Sequence, residues 1–480
     1  MASLAQERGR ILLRSALQEG NSGRYSFVTA RPFLTFRSSA AQCEMRSPEG
    51  VRFEFGDPWR VLEGLLSRYE LHDELDLPFP TGGCFGFWGY DLKNFIEPSL
   101  RRRAVDDLEF PDCHLGFHDS LVAFDHVLGT CWIVATGLER DGSRNPDAAQ
   151  RQIGFWLEQL TRSAGVKTRV EAVRGAVAGK CFSVPGVAED DAVSGLCSNV
   201  SREQFLAKIV AAQKYIQNGD IYQVNLSHRL DLESAPRAWD LFRALNEVSP
   251  APFSAFIDAD DFQLASSSPE LFLRMSGSRV ETRPIKGTRP RSADPTCDSQ
   301  LSYQLRTSAK EMSELVMITD LLRNDLGKVC EFGSVQVSDL ARLERFAQVQ
   351  HLVSVIEGAL RPDVTHLGAL AACFPGGSIT GAPKIRAMEI IEELEFVRRG
   401  PYTGALGYIG FNRETQLAII IRTALLKQGR AHFQVGAGIV ADSDPEAEYD
   451  ETMAKALGFV RALTFCRPSY ARVPQRPVRS

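Results

Sequence analysis

A lysine at residue 286 stands where an amine could carry out nucleophilic or base chemistry. It lies in Thr-Arg-Pro-Ile-Lys-Gly-Thr-Arg (282–289), held between Pro284 and Gly287, shortly after Ser-Ser-Ser-Pro-Glu (266–270). Arg283, Arg289 and Arg291 are close by in sequence. Neighbouring cations and burial both favour the neutral amine, moving a lysine from about 10.4 toward a reactive range. A neutral lysine serves as nucleophile or base. Taken alone, the stretch suits equally a surface lysine in a basic loop that binds phosphate or solvent.

Carboxylates recur in pairs three residues apart. Glu311 and Glu314 form one pair; Glu448 and Glu451 form the other, with Lys455 one helical turn on. Residues at this spacing share a helix face. Two such helices offer oxygen ligands for one Mg²⁺, which takes one or two carboxylates and completes its shell with water and an anionic ligand. Each pair alone also suits a solvated acidic helix face.

Two glycine-rich stretches add anion-binding potential. Phe-Pro-Gly-Gly-Ser-Ile-Thr-Gly-Ala-Pro-Lys (374–384) precedes a helix predicted over 385–395 and exposes backbone N–H groups. It lacks the spacing and the Gly-Lys-Ser/Thr ending of a Walker loop. Gln-Val-Gly-Ala-Gly-Ile (434–439) reads as a turn after a strand. Between them lie Tyr402 and Arg422, the latter ending an apolar strand predicted over 417–421. An arginine at the end of a buried strand has an anion to meet.

The elements that must position these groups are legible in outline. Strands are predicted at 25–29, 51–55, 120–124 and 131–134, and a helix over 147–162. The glycine- and aromatic-rich stretch 82–90 reads as a core corner. Gly, Ala, Ser and Asp dominate 175–199, which divides the chain into an N-terminal β-rich region (1–175), a linker (176–199), a second region (200–465) and a disordered tail (466–480). Ser201 and Gln204 make a capping box ahead of Phe205, Ile209, Ala212 and Ile216 at helical spacing, with Gly219 as the stop. A strand is expected at 220–227, a hairpin turn at 276–278, and a helix over 308–325 with Met312, Leu315, Val316, Ile318 and Leu322 as its apolar side.

Composition sets the class. The 480 residues are 44% hydrophobic and 24% charged, ample for a globular core. With 55 basic against 60 acidic residues and no basic tract, nucleic acid is excluded as a partner, and Arg101, Arg102 and Arg103 read as a solvated loop. No apolar run approaches the ~18 residues of a membrane helix, and the first twenty residues do not read as a signal peptide. Ten cysteines without CxxC spacing suggest free thiols in a reducing cytoplasm rather than a zinc site or a disulfide framework.

Pro-Ile-Lys-Gly-Thr-Arg (284–289), Leu-Leu-Arg-Asn-Asp-Leu-Gly (321–327), the 374–384 stretch and Gly-Ala-Gly-Ile-Val-Ala-Asp-Ser-Asp-Pro-Glu (436–446) together resemble the chorismate-utilising enzymes. That family includes anthranilate synthase component I, isochorismate and salicylate synthases, and aminodeoxychorismate synthase component I. The likeness is dense over 201–463 and thin before it. It implies an α/β fold of large, mostly antiparallel sheets flanked by helices, binding Mg²⁺ and chorismate. It further implies Glu314 and Glu451 as primary metal ligands with Glu311 and Glu448 in support, and Glu270 as the general acid for the departing 4-hydroxyl. His351 would stand beside that hydroxyl, and Thr380, Tyr402, Arg422, the Gly436 and Gly438 backbone and Lys455 would hold the substrate.

Two positions bear on the branch. Where water-using members carry a lysine base, this chain has Gln223, a substrate-binding amide. Where anthranilate synthases typically carry alanine, it has Lys286. The pattern resembles the aminodeoxychorismate synthase branch, in which the lysine amine attacks C2, the 4-hydroxyl departs, and ammonia then attacks C4 and expels the lysine. Anthranilate synthase component I is the alternative. No glutaminase segment is visible, so the resemblance implies a separate glutamine amidotransferase subunit (component II). Leu-Leu-Arg-Ser (12–15) is similar to a segment that lines a tryptophan pocket in relatives, so Ser15 is either a pocket residue or ordinary core. The chain departs from the family pattern at Met453-Ala-Lys-Ala456 and at 311–315, without losing Lys455 or Glu314.

Overall fold

Alternation of aromatic and small residues in Gly83–Trp88 builds the centre of the molecule. The computed structural model describes residues 1–15, 23–71, 77–164, 195–345 and 349–466. Phe85 and Phe87 project from one face of this strand into a buried cluster with Leu406 and Tyr408, while Cys84 and Trp88 project from the other into a second cluster. The 82–90 stretch is therefore a central strand and not the expected corner: both faces are covered, so a continuous apolar run is stable there.

Two large sheets, of 11 and 12 strands, stack face to face. Every pairing between their strands is antiparallel. Between them lie Phe85, Phe87 and Tyr408 from one sheet and Ile11, Phe27, Ile257 and Phe262 from the other. The outer face of the 12-stranded sheet is covered by the helices Pro58–Leu66, Ala309–Gly327 and His366–Cys373; the outer face of the 11-stranded sheet by Arg202–Gln217, Ala238–Val248, Lys384–Leu394 and Pro445–Phe465. This is the expected α/β arrangement of large antiparallel sheets flanked by helices, with ten α-helices among the described residues.

The N-terminal strands are built into both sheets. Ile11–Arg14 pairs with Phe253–Asp258, and Gly83–Trp88 pairs with Ala405–Gly410, so the segments before and after the expected linker share continuous hydrogen-bonded ladders. Most of that linker, as far as residue 194, and the tail from 467 lie outside the described residues. Among the described residues no helix is long and apolar enough to cross a membrane, and Cys43, Cys84, Cys113, Cys330 and Cys373 are buried free thiols.

Local sequence rules account for the helices that matter to the site. Ser201 and Gln204 form the capping box of Arg202–Gln217, whose Phe205, Ile209 and Ala212 are buried. Ser308 caps Ala309–Gly327, its hydroxyl accepting from the Glu311 N–H at 3.3 Å. Asp444 caps Pro445–Phe465 with Pro445 in the first turn, its carboxylate accepting from the Ala447 N–H at 2.9 Å. The expected turn at 434–439 is instead the end of the strand Arg430–Ile439, because Gln223–Leu232 pairs along its whole length and satisfies its backbone. The region around Lys286 is likewise a strand, Ile285–Pro290, and not a loop; it pairs with Val349–Ala359 through a register shift next to Gly287.

Candidate active site

A cavity of about 490 Å³ opens where the strands and helices carrying the sequence motifs meet. The strand Ile285–Pro290 brings Lys286 and Val349–Ala359 brings His351; Ala309–Gly327 brings Glu311 and Glu314; Pro445–Phe465 brings Glu448, Glu451 and Lys455. Glu270 follows the strand Phe262–Ser268, and Tyr402, Arg422, Gly436 and Gly438 close the far wall. Residues up to 230 positions apart, from Asn225 to Lys455, thus share one chamber.

The carboxylates face cations across this chamber. Lys286 Nζ lies 3.7 Å from Glu314, Arg289 3.3 Å from Glu311, Lys310 3.7 Å from Glu448, and Lys455 2.6 Å from Glu451. The positive surround expected for Lys286 is not what the fold builds. Arg283 turns to Glu281, Arg289 to Glu311 and Arg291 to Asp298, so the charge nearest the lysine amine is a carboxylate.

Burial pushes the Glu270 carboxyl above its ordinary value, against the opposing effects of a hydrogen bond with Ser378 and of Lys286 and Lys455. Glu314 is also raised by burial, against Lys286 and Lys310. Burial raises Glu451 too, but Lys455, together with Lys286 and Lys310, outweighs it and holds this carboxyl below its usual range. Lys455 is lowered by its own burial and donates to the Gly436 carbonyl at 2.8 Å. The site therefore holds carboxyls tuned apart: Glu270 toward a proton-bearing acid, Glu451 toward an anion. Burial lowers His351 to about 4, so its imidazole is neutral at pH 7, and its Nδ1 shares a 2.8 Å hydrogen bond with the Thr288 hydroxyl.

Arg422 is the anion-seeking group. It sits in the left-handed region at φ 52°, its carbonyl accepts from the Ser267 N–H at 3.0 Å, and its side chain lines the cavity with no hydrogen bond or ion pair among the described residues. Beside it, burial pushes the Tyr402 phenol up to about 12, leaving it a neutral hydrogen-bonding group. Behind this wall the buried Arg399 pairs with Glu395 at 2.7 Å and donates to the carbonyls of Asn225 and Ile379 at 2.7 and 3.1 Å. Glu395 in turn accepts from the Ser227 N–H at 2.8 Å. This ion pair joins three wall segments into one rigid unit.

Other expected residues fall differently. Gln223 is buried behind Gly438; a Cβ at that glycine would lie 2.2 Å from Gln223 Nε2 and 3.7 Å from Lys286 Nζ. The Thr380 side chain is fully buried, its hydroxyl donating to the Gly376 carbonyl at 3.0 Å, so it shapes the loop beneath the cavity rather than lining it. Ser15 is remote, at a pocket of about 20 Å³ between the sheets with Tyr25, Phe27 and Ser254. Asn225, Ser378, Lys310 and Gln434 line the cavity without having been singled out. Asn225 was findable: it lies two residues beyond Gln223 on a strand, hence on the same face.

The donor set suits a hard divalent cation. Glu311, Glu314, Glu448 and Glu451 supply only oxygens on two helices facing one cavity. Among the described residues no three such groups are drawn together tightly enough to form a ligand cluster. Mg²⁺ needs only one or two carboxylates directly, with water and an anionic ligand filling the rest, so the residues fit the ion.

A family model described as chorismate binding enzyme matches residues 14–461, and the chain belongs to that family. It is 37% identical over 441 residues to anthranilate synthase component 1 of Acetivibrio thermocellus, covering 92% of this chain and 87% of that one. It is 38% identical over 456 residues to aminodeoxychorismate synthase component 1 of Escherichia coli, covering 94% and 93%. Among solved structures it is similar to anthranilate synthase component I from Streptococcus pneumoniae, with a TM-score of 0.78 at 30% identity over 92% of this chain and 94% of the other.

Proposed function

We propose that this protein is an aminodeoxychorismate synthase component I, aminating chorismate at C4 to give 4-amino-4-deoxychorismate for p-aminobenzoate and folate synthesis. The observation that carries the reading is the placement of Lys286: its amine enters the cavity that also holds Glu270 and the four paired carboxylates. In this reading Arg422, Lys455 and Tyr402 hold the carboxylates and ring of the substrate, and its binding seats the reacting carbons against Lys286. The lysine, as its free amine, forms a bond to C2 while both ring double bonds shift, from C1=C2 and C5=C6 to C1=C6 and C4=C5, and the C4–O bond breaks. Glu270 gives its proton to the departing oxygen, which leaves as water. Ammonia then bonds to C4, both double bonds return, and the C2–N bond to Lys286 breaks, restoring the amine, while a proton from the new C4 ammonium returns to Glu270. Neutral His351 lies by the leaving oxygen. Glu314 and Glu451, supported by Glu311 and Glu448, would hold Mg²⁺, which supplies positive charge for a substrate carboxylate.

Ammonia is proposed to come from a separate glutamine amidotransferase subunit. The component 1 names of relatives on both branches support a partner of this kind. The buried free thiols support action in the cytoplasm.

The competing reading is anthranilate synthase component I, a name that relatives of similar identity carry. Product identity separates the two. With purified protein, chorismate, Mg²⁺ and an ammonium salt, a 4-amino product that a lyase converts to p-aminobenzoate is expected. Fluorescent anthranilate would mean attack at C2 by ammonia itself and would overturn the assignment.

A further inference from the structure

The strand Gly50–Phe55 is the last strand of the 12-stranded sheet, and its far edge pairs with no other strand among the described residues. Its pattern is inverted. Arg52 and Glu54 stand opposite Met45 and Cys43, on the face that leads to the core, while Val51, Phe53 and Phe55 stand on the other face. These three are 48%, 50% and 75% exposed. An edge strand is ordinarily blunted by proline, a bulge or inward charges, because its free N–H and C=O groups template further pairing. Here proline and a bulge are absent; the inward charges are Arg52 and Glu54, 3.9 Å apart and so mutually compensated, and the apolar side chains face solvent.

The hairpin geometry decides which backbone groups are free. Ser47 and Gly50 flank a two-residue loop and form its closing pair, so Gly50, Arg52 and Glu54 turn their backbone groups inward, as the Gly56 N–H does in reaching the Ala41 carbonyl at 2.9 Å. Val51, Phe53 and Phe55 therefore direct their N–H and C=O groups outward.

We propose that this edge pairs antiparallel with the same edge of a second copy of the chain, about a two-fold axis at Phe53. In that register Phe53 stands opposite its own copy and Val51 opposite Phe55, so every outward backbone group meets an outward partner. Arg52 stands opposite Glu54 and Glu54 opposite Arg52, which gives two complementary charge pairs. The six apolar side chains gather on one face of the new ribbon. Shifting the register by one residue would set inward-facing backbone groups against outward-facing ones, and shifting it by two would set Arg52 or Glu54 opposite its own copy. The contact is isologous, so it closes at a dimer. It is independent of the reaction proposed above.

Sedimentation velocity on the full chain across the micromolar range tests this. The expected result is a concentration-dependent dimer. Arg52→Glu alone, or Glu54→Arg alone, sets like charges opposite each other twice and is expected to raise the dissociation constant about tenfold. The double exchange Arg52→Glu/Glu54→Arg is expected to restore association. Phe53→Pro removes the central N–H and is expected to abolish the dimer. All of these positions are exposed, and an unchanged unfolding midpoint shows that the variants fold. A chain that stays monomeric throughout, a dimer indifferent to the single charge changes, or a double exchange that fails to restore it would each overturn the proposal. A monomer that associates only with a different protein through this edge would overturn it equally.

Discussion

The amine of Lys286 lies 3.7 Å from the carboxylate of Glu314. That one contact couples the group proposed to bond the substrate to a group proposed to hold the metal. The Lys286 ammonium occupies, in charge, the place of a cation beside Glu314. Arrival of Mg²⁺ at this carboxylate would release the lysine from the pair, so metal binding and amine reactivity are expected to rise together. Glu314→Gln removes the charged ligand, and the Mg²⁺ concentration needed for half-maximal turnover should rise strongly. An unchanged Mg²⁺ titration would place the metal elsewhere.

Replacing Lys286 by alanine removes the proposed nucleophile from its strand. The variant should form no covalent adduct with chorismate, whereas the wild type trapped without ammonia should carry one on the peptide containing residue 286. Peptide mass spectrometry reads both, and an adduct on another residue would contradict the role given to Lys286.

Gly438→Ala tests the packing behind the cavity. The added methyl would sit 2.2 Å from Gln223 Nε2 and 3.7 Å from Lys286 Nζ, so the Gln223 amide must move. Because Gln223 is buried, the shift carries into the wall and costs about 1–3 kcal/mol of stability. Denaturant unfolding should show that loss, with turnover reduced further than substrate affinity.

Burial raises the Glu270 carboxyl, which fixes the sign of two effects. Turnover should fall as pH rises through the raised value, because the acid is then ionised. For stability, the fold tolerates the protonated form and disfavours the anion, so a penalty is absent below the ordinary 4.5 and complete above the raised value. Glu270→Gln should therefore lower turnover by ~10²–10⁴-fold while raising the midpoint of thermal unfolding at pH 7, on the order of 1–2 °C. It should raise nothing at pH 4. Equal midpoints at pH 7 would contradict the burial account.

Acid should unfold this protein through its histidines. Burial lowers His114 and His118 to about 3, and His228, His351 and His366 to about 4. The unfolded chain takes up protons at these positions below about 6.5 and the folded chain does not, so stability falls as pH drops from 6.5 toward 4. Urea unfolding across that window should show a steep loss, and His366→Asn should flatten it.

Much of the site was legible because its motifs are local. Glu311 with Glu314, and Glu448 with Glu451 and Lys455, follow from helical spacing alone, and both helices begin at the caps their sequences announce. The 82–90 and 434–439 stretches were misread for a common reason. Glycine-rich runs look like turns until a neighbouring strand supplies the hydrogen bonds and close contacts that make glycine necessary within a sheet. The electrostatics of Lys286 were misread because sequence neighbours on a strand point apart. Arg283 turns back to Glu281 on its own strand, Arg289 reaches Glu311 on a helix, and the residue facing Lys286 comes from that same helix, 28 positions on.

By itself, the sequence determined the helices, their caps, the order of the motifs and the kinds of chemistry they can support, since each depends on contacts within a few residues. The tertiary structure alone decided which charges meet: that Lys286 faces Glu314, that the Arg422 guanidinium has no ion-pair partner among the described residues, and that Glu270 is buried beside Ser378. Those relations set proton affinities and reactivity. They depend on distance and on exclusion of water across a cavity whose walls come from far-separated parts of the chain, and no local pattern encodes them.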